Sequence, residues 1–97
     1  MTHDDTEVRL NAAGHRFEIL VAGEHAGHVQ FHDDDGVRTF THTEIDKARE
    51  GQGLGGRLVR AALDQTRAAA LQVVPECTFV RRFIESHEEY ADLVAAA

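Results

Sequence analysis

Residues 50–57 read EGQGLGGR and place four glycines within six positions, between a strand-like segment and an amphipathic helical one. The start of a helix carries unpaired backbone N–H groups and a partial positive charge, so it can bind an anion. Glycine lets the backbone approach a phosphate closely and adopt positive φ angles. No Lys-Ser or Lys-Thr pair follows the last glycine, which excludes a Walker A loop. The segment therefore predicts either a phosphate-binding loop or a glycine-rich turn without a ligand.

The residues that follow the loop predict helices around one short strand. An apolar stripe at helical spacing continues to about Ala70, and residues 71–74 form a brief apolar run of strand length. Pro75 ends this run, because proline cannot donate a ladder hydrogen bond. A second helix is expected to begin near Pro75 or Cys77, and a last amphipathic segment covers residues 88–97.

The first half of the chain shows the alternation of apolar and polar residues that is typical of strands. We expect strands at residues 7–11, 15–21, 25–32 and 37–45, the last two joined by an Asp-Gly hairpin turn. In the fourth strand, strict alternation puts Val37, Thr39, Thr41 and Thr43 on one face and Phe40, His42 and Glu44 on the other.

The predicted fold class is α+β: an antiparallel meander of four strands, then a helix, a fifth parallel strand and C-terminal helices. We expect residues 1–6 to be a flexible N-terminal tail and residues 7–97 to form a single domain, which suits the chain length of 97 residues.

Composition narrows the choice of partners. The net charge of −7 at pH 7 argues against nucleic acid, and the apolar runs are too short for a membrane span. The single cysteine, Cys77, excludes an internal disulfide and fits a reducing, cytoplasmic location. The net negative charge of the protein favours cationic substrates such as amines. One exposed sheet edge allows a weak homodimer, and the alternative is a monomer.

The order strand, helix, strand indicates a ligand site. A right-handed β-α-β crossover makes the fourth and fifth strands parallel neighbours and places the glycine loop at the carboxyl end of the fourth. Where Pro75 ends the pairing, the two strands separate and leave a slot lined by free peptide groups. An extended, amide-bearing ligand could add to this slot as a further strand. A pyrophosphate on the loop and a pantetheine arm in the slot describe coenzyme A.

Four segments in this order resemble the short, single-domain group of the GNAT N-acetyltransferase superfamily. They are residues 41–45 (THTEI), 50–55 (EGQGLG), 74–80 (VPECTFV) and 87–90 (HEEY). The resemblance implies a compact GNAT-like fold and an acetyl-CoA-dependent N-acetyltransferase that acts on a small amine or a protein amine. The alternative is a non-catalytic CoA- or acyl-CoA-binding sensor or partner module.

This sequence departs from the superfamily pattern at two points. Glu50 stands where the cofactor loop usually has Arg or Gln. The two helices that normally follow the first strand are also missing, which implies an open or small-ligand acceptor site.

Carried over by position, the resemblance implies that Ile45 meets the pantetheine arm through its backbone. It also implies that the loop backbone holds the pyrophosphate, through Gly51, Gln52, Gly53, Leu54, Gly55 and Gly56. Separately from the resemblance, Arg81 and Arg82 could pair with the acidic surface or reach the 3′-phosphate of CoA, and Arg82 is the candidate cofactor residue of the two.

Cys77 would lie near the thioester end of the cofactor. Three roles are open for it: a nucleophile that forms an acetyl-enzyme, a thiol that lines the acetyl pocket, or a small buried core residue. The sequence does not distinguish among them.

His42 and Glu44 share a face of the fourth strand and are candidates for the general base that deprotonates the amine. The alternatives are a polar residue between core and surface for His42 and an anchoring carboxylate for Glu44. Tyr90 could protonate the leaving thiolate, although its position in the last segment favours core packing.

The histidines of the third strand do not predict a metal site. His28 and His32 share a face but lie about 13 Å apart, and His25 is expected on the opposite face. We therefore expect a solvated hairpin rather than a metal centre.

Overall fold

The computed structural model describes residues 5–95, and the structural statements below refer to them. The first four residues of the predicted tail lie outside this range. In chain order the elements are β1 (Thr6–Asn11), β2 (Arg16–Val21), β3 (Glu24–Asp34), β4 (Val37–Ile45), a 3-10 turn (Lys47–Arg49), α1 (Leu54–Ala68), β5 (Gln72–Pro75), α2 (Thr78–Ser86) and a 3-10 helix (Glu88–Leu93). Among the described residues, no helix is long and apolar enough to cross a membrane.

The five strands form one sheet in the order β1-β2-β3-β4-β5. The first four pair antiparallel, and β5 pairs with β4 in parallel after the α1 crossover. Asp35 (φ 52°) and Gly36 (φ 80°) turn β3 into β4, as a primed hairpin turn requires. The predicted α+β class and the strand meander are confirmed.

Both helices pack on the same face of the sheet. The apolar stripe of α1 and the buried residues of α2 meet the inward side chains of the strands in one core, whose largest members are Phe17, Phe40, Ile19, Leu58, Leu63, Val59 and Val80. No described helix packs on the opposite face, which we call the open face. It carries polar side chains from β2, β3 and β4, among them Arg16, Glu18, His28, His42 and Glu44.

A one-residue bulge in β3 changes which histidines share a face. Ile19 pairs with Gly27 and Leu20 pairs with His25, so Ala26 is the extra residue. As a result, His25 and His28 lie on the same face, with ring centroids 5.6 Å apart. The expectation that His25 lies opposite His28 was wrong, because strict alternation does not hold across a bulge.

A second bulge, at Thr41 in β4, changes the predicted facing of Phe40. Gln30 pairs with His42 and Phe31 pairs with Phe40, which leaves Thr41 unpaired in register. Phe40 therefore lies in the core on the helix-covered face, and the expectation that it shares a face with His42 was wrong. His42 and Glu44 still share the open face, as expected.

A buried arginine joins the hairpin end of β3 and β4 to the core. The guanidinium of Arg38 donates two hydrogen bonds of 2.8 Å to the Asp33 carboxylate and lies 4.2 Å from the ring centroid of Phe31. The hydrogen bonds from Arg38 hold the pKa of Asp33 below its usual value. The guanidinium and the carboxylate thus both have hydrogen-bond partners, and this pairing offsets the cost of burying the Arg38 charge.

The C-terminal segment covers the outer edge of β5. After the 3-10 helix, Val94 forms a parallel bridge with Val73, and the Ala95 N–H donates to the Val73 carbonyl at 2.8 Å. The last amphipathic segment is thus a short 3-10 helix followed by extended chain, rather than a longer α-helix.

Candidate functional site

The site begins where β4 and β5 part. Their ladder ends at the pair Phe40 and Pro75, and one further bond joins the Cys77 N–H to the Phe40 carbonyl at 2.9 Å. The Thr41 bulge follows at the next residue of β4, and a bulge bends the strand that contains it. β4 continues to Ile45 with no partner from β5, so the predicted slot is present.

The glycine loop lies at the end of this slot. Gly51 (φ 84°) and Gly53 (φ 75°) adopt left-handed backbone conformations, which residues with a side chain adopt only at an energetic cost. A Cβ at either position would meet no atom within 4 Å, so the backbone conformation and not crowding favours glycine there. Gly53 is the N-cap of α1 and has no side-chain cap. The Arg57 N–H bonds to the Gly53 carbonyl at 3.3 Å, so the amides of residues 54–56 precede the first intrahelical bond.

A cleft of about 360 Å³ opens at these amides. Its walls come from the end of β4, the loop, the first turn of α1 and the start of α2, through Thr43, Ile45, Arg49, Glu50, Gly51, Gly53, Leu54, Gly55, Gly56 and Phe79. All the predicted cofactor residues of this region except Gln52 line it. Arg49 is already paired with Glu24 at 3.1 Å, so the cleft offers mainly backbone groups to an anion.

A second cleft of about 480 Å³ lies along α2, lined by Thr78, Phe79, Arg82, Phe83 and Ser86. Phe79 borders both clefts and is 44% exposed. Sequence reasoning did not single out this residue. It could have been noticed as an aromatic residue outside the buried stripe of α2, which consists of Val80, Phe83 and Ile84. Arg82, predicted to bind a phosphate, is exposed at this second cleft.

Cys77 is the N-cap residue of α2 and lies in the core, 8% exposed. Its Sγ lies 3.2 Å from Oγ1 of Thr43, and Thr43 lines the first cleft. Cys77 itself is not among the lining residues, so its thiol lies behind the Thr43 side chain rather than in the cleft wall.

His42 and Glu44 lie on the open face, away from Cys77. Because side chains alternate along a strand, the intervening Thr43 faces Cys77 while its two neighbours face the other way. Both are exposed, and the Glu44 side chain is 65% exposed. The structure therefore places His42 and Glu44 together on one side of β4. Cys77 and the glycine loop lie on the other side.

His28 adjoins this pair, and the sequence did not predict it there. Its Nε2 lies 3.8 Å from Oε2 of Glu44, its ring centroid lies 6.4 Å from that of His42, and its side chain is only 13% exposed. Burial, followed by the positive charge of Arg16, lowers the pKa of His28. Its Nδ1 is buried without a hydrogen-bond partner. Only the β3–β4 register brings His28 next to Glu44, so local sequence carries no signal for it.

Tyr90 contributes to packing. Its hydroxyl donates to Oδ1 of Asp64 at 2.7 Å and accepts from Nη1 of Arg60 at 3.3 Å, both from α1. Burial, with the Asp64 contact, raises the pKa of Tyr90. It lines neither cleft, in agreement with the expectation of core packing. Within residues 5–95, no group of three or more His, Cys, Asp or Glu side chains could hold a metal ion.

The domain thus combines a strand meander, a β-α-β crossover and an uncapped glycine loop beside a split in the sheet. The family model for the GCN5-related N-acetyl-transferases matches residues 16–93, and the chain belongs to this family. The predicted family and the prediction of an N-acetyltransferase are thereby confirmed. No curated protein matches the sequence significantly.

Solved structures show the same fold. A GCN5-like putative N-acetyltransferase from Staphylococcus aureus superposes with a TM-score of 0.72 at 20% identity, over 98% of this chain and 93% of that one. A GNAT family acetyltransferase from Brucella melitensis, solved in complex with acetyl-CoA, gives 0.57 at 25% identity, over 74% of this chain and 54% of that one. A ribosomal-protein-alanine N-acetyltransferase from Brucella melitensis biovar Abortus gives 0.60 at 19% identity, over 84% and 62%. This chain thus matches only part of the two Brucella proteins.

Proposed function

We propose that this protein transfers the acetyl group of acetyl-CoA to a small amine or a protein amine, with the CoA pyrophosphate on residues 51–56. The observation that carries the proposal is the set of uncapped amides in the first turn of α1, open to a cleft at the end of the β4–β5 slot. Membership of the family and the acetyl-CoA complex of the similar Brucella enzyme support the same cofactor.

The cofactor would extend along both parts of the site. The backbone from Gly51 to Gly56 would hold the pyrophosphate, with Gln52 at the exposed outer side of the loop. The pantetheine arm would pair with the free edge of β4 near Ile45, as an added strand does. Arg82 would attract the 3′-phosphate from the second cleft.

The open face is the natural side for the acceptor, because no described helix covers it. In direct transfer, His42 or Glu44 takes a proton from the ammonium form of the acceptor. The neutral amine nitrogen would attack the thioester carbonyl, the C–N bond would form and the C–S bond would break. The proton that the nitrogen loses as it becomes an amide would pass to the leaving CoA thiolate. The reacting carbonyl would lie in the slot, where both faces of β4 have access.

The position of Cys77 favours direct transfer over an acetyl-enzyme. A covalent route would first place the acetyl group on a thiol behind Thr43, on the side of β4 opposite to His42 and Glu44. In the direct route, Thr43 would line the acetyl end of the cleft, and Cys77 would only support Thr43 through their 3.2 Å contact.

Calorimetric titration with CoA and intact-protein mass spectrometry after mixing with acetyl-CoA test these proposals together. We expect binding, no stable acetyl adduct, and acetyl transfer to at least one member of a panel of amines and peptides. A one-acetyl mass gain that disappears in Cys77→Ala would replace the direct route with the covalent one. Absence of CoA binding would refute the proposed function.

A second candidate function is a CoA or acyl-CoA sensor without efficient turnover. The observation that favours it is Glu50, a carboxylate that lines the cleft where the superfamily usually has Arg or Gln. A sensor would bind CoA and show no transfer above background hydrolysis. Glu50→Gln should then tighten CoA binding by removing a negative charge near the pyrophosphate, while leaving turnover absent.

A further inference from the structure

Phe79 is an exposed aromatic residue at the boundary between the two clefts. It is 44% exposed, although it stands at the start of α2 beside the buried Val80. The other large apolar residues with comparable exposure in the described chain, Leu10 and Val94, line neither cleft. Phe79 is therefore both a large exposed apolar residue and the one lining residue that the two clefts share.

The ring of Phe79 is held at its tip by the first turn of α1. A Cβ built on Gly55 would lie 2.6 Å from Cζ and 3.2–3.3 Å from the two Cε atoms of the ring. Gly55 is helical and has no positive φ, so a side chain added there would meet this ring rather than backbone strain. Phe79 is 44% exposed and lines both clefts, so its ring has free surface at the boundary between them.

We propose that Phe79 is a cofactor-positioning residue whose ring stacks on the adenine of CoA. The proposal rests on the proposed function, since it takes CoA as the ligand. The pyrophosphate on the loop occupies the first cleft, and the 3′-phosphate meets Arg82 in the second. The ribose of CoA carries both of these groups and the adenine, so the adenine would lie beside Phe79, the residue that borders both clefts.

Chemistry in the second cleft fits this ligand. Arg82 makes no ion pair with any residue from 5 to 95, so its charge is available to a phosphate. A base presents a flat π face to an aromatic ring whatever its edge groups, and such stacking removes apolar surface from water on both sides. Bound adenine would cover the surface of Phe79 that is exposed in the free protein.

Calorimetry with CoA on the full chain tests the proposal first. Phe79→Ala should weaken CoA binding about tenfold, the size expected when a stacking ring is removed, whereas Phe79→Tyr should retain wild-type affinity. Leu10→Ala, at an equally exposed apolar residue outside both clefts, is the control and should bind normally. If the wild type binds CoA and Phe79→Ala binds it equally well, this inference alone is overturned. If the wild type does not bind CoA, the proposed function is overturned.

Adenosine 3′,5′-bisphosphate, which lacks the pantetheine arm, identifies the part of CoA that Phe79 contacts. In direct calorimetry it should bind the wild type, and it should bind Phe79→Ala about tenfold more weakly. No binding to a wild type that binds CoA, or equal affinity for both proteins, overturns the adenine assignment.

Gly55→Ala provides a coupled test, because the added methyl group must push the ring aside. It should weaken CoA binding in the wild type and have a smaller effect in the Phe79→Ala background. Equal effects in both backgrounds would mean that the Gly55 contact does not act through the ring.

Discussion

The two faces of the sheet differ in what covers them and in what they carry. On one face, α1 and α2 bury a continuous apolar core, and the cleft at the glycine loop opens at its edge. The open face carries histidines, carboxylates and arginines with no described helix above them. The apolar core and the exposed histidines and carboxylates of β2 to β4 thus lie on opposite sides of one sheet.

Strand β4 belongs to both faces. Thr43 and Ile45 line the cleft at the glycine loop, while His42 and Glu44 point to the open face. In the proposed function, one short segment would therefore contact both substrates, because side chains alternate along a strand. If this division holds, substitutions should separate cleanly into those that alter stability, cofactor affinity or turnover.

The largest effect should come from the covered face. Leu58→Ala, at a residue with no exposed surface, should lower the free energy of unfolding by about 3 kcal/mol, because the core cannot close the cavity fully. Urea denaturation of this variant and of Gln30→Ala, an exposed position on the open face, makes the comparison. Gln30→Ala should change stability by less than about 0.5 kcal/mol. Similar losses at both positions would mean that the open face is also a packed surface.

The acceptor side should affect turnover without affecting the cofactor. His42→Gln should lower kcat about 100-fold, the loss expected when a general base is removed, while the Kd for CoA stays unchanged. His32→Gln makes the same substitution at an exposed histidine of β3 and should leave kcat unchanged. Normal kcat in His42→Gln would assign the proton transfer to Glu44 or to solvent.

The glycine loop should affect the cofactor without affecting the acceptor. Gly53→Ala forces an alanine into φ 75°, which costs about 1–2 kcal/mol, and the shifted loop should weaken CoA binding. Gly23→Ala carries the same strain at φ 81° in the β2–β3 turn, with open space around the added methyl group. Both variants should lose similar stability, but only Gly53→Ala should lose CoA affinity in calorimetry. Equal CoA affinity in the two would exclude the loop from binding.

The smallest effect should be the pH dependence that His28 confers. Because its pKa is lowered from 6.5 in the folded protein, the unfolded chain takes up a proton more readily below that pH. Folded stability should therefore fall as pH drops through 6.5, and His28→Gln should reduce this loss. Urea midpoints at pH 7.5 and 5.5 measure it, and an unchanged difference in His28→Gln would assign the acid sensitivity to other groups.

Most of the fold could be predicted because its signals are local. Alternation marked the strands, the Asp35-Gly36 turn marked the hairpin, and a single apolar stripe marked α1. Pro75 indicated where β5 ends, since it removes a donor from the ladder. The loop and the slot followed from the order of these elements.

The details that decide the site were less predictable, because they depend on contacts between distant segments. The bulges at Ala26 and Thr41 are visible only in the pairing of one strand with the next. They moved His25 and Phe40 to faces that alternation does not give. Phe79 was not singled out for a similar reason, because its ring lies next to Gly55, which is 24 positions away in the sequence.

The extra residue at Thr41 has a consequence for comparing related sequences. Removing it would restore plain alternation from Phe40 onward, so His42, Thr43, Glu44 and Ile45 would each keep their present side of the sheet. What would be lost is the bend that separates β4 from β5. In an alignment of related chains, a single gap at this position should therefore mark loss of the cofactor slot, even where every residue named in the site is retained.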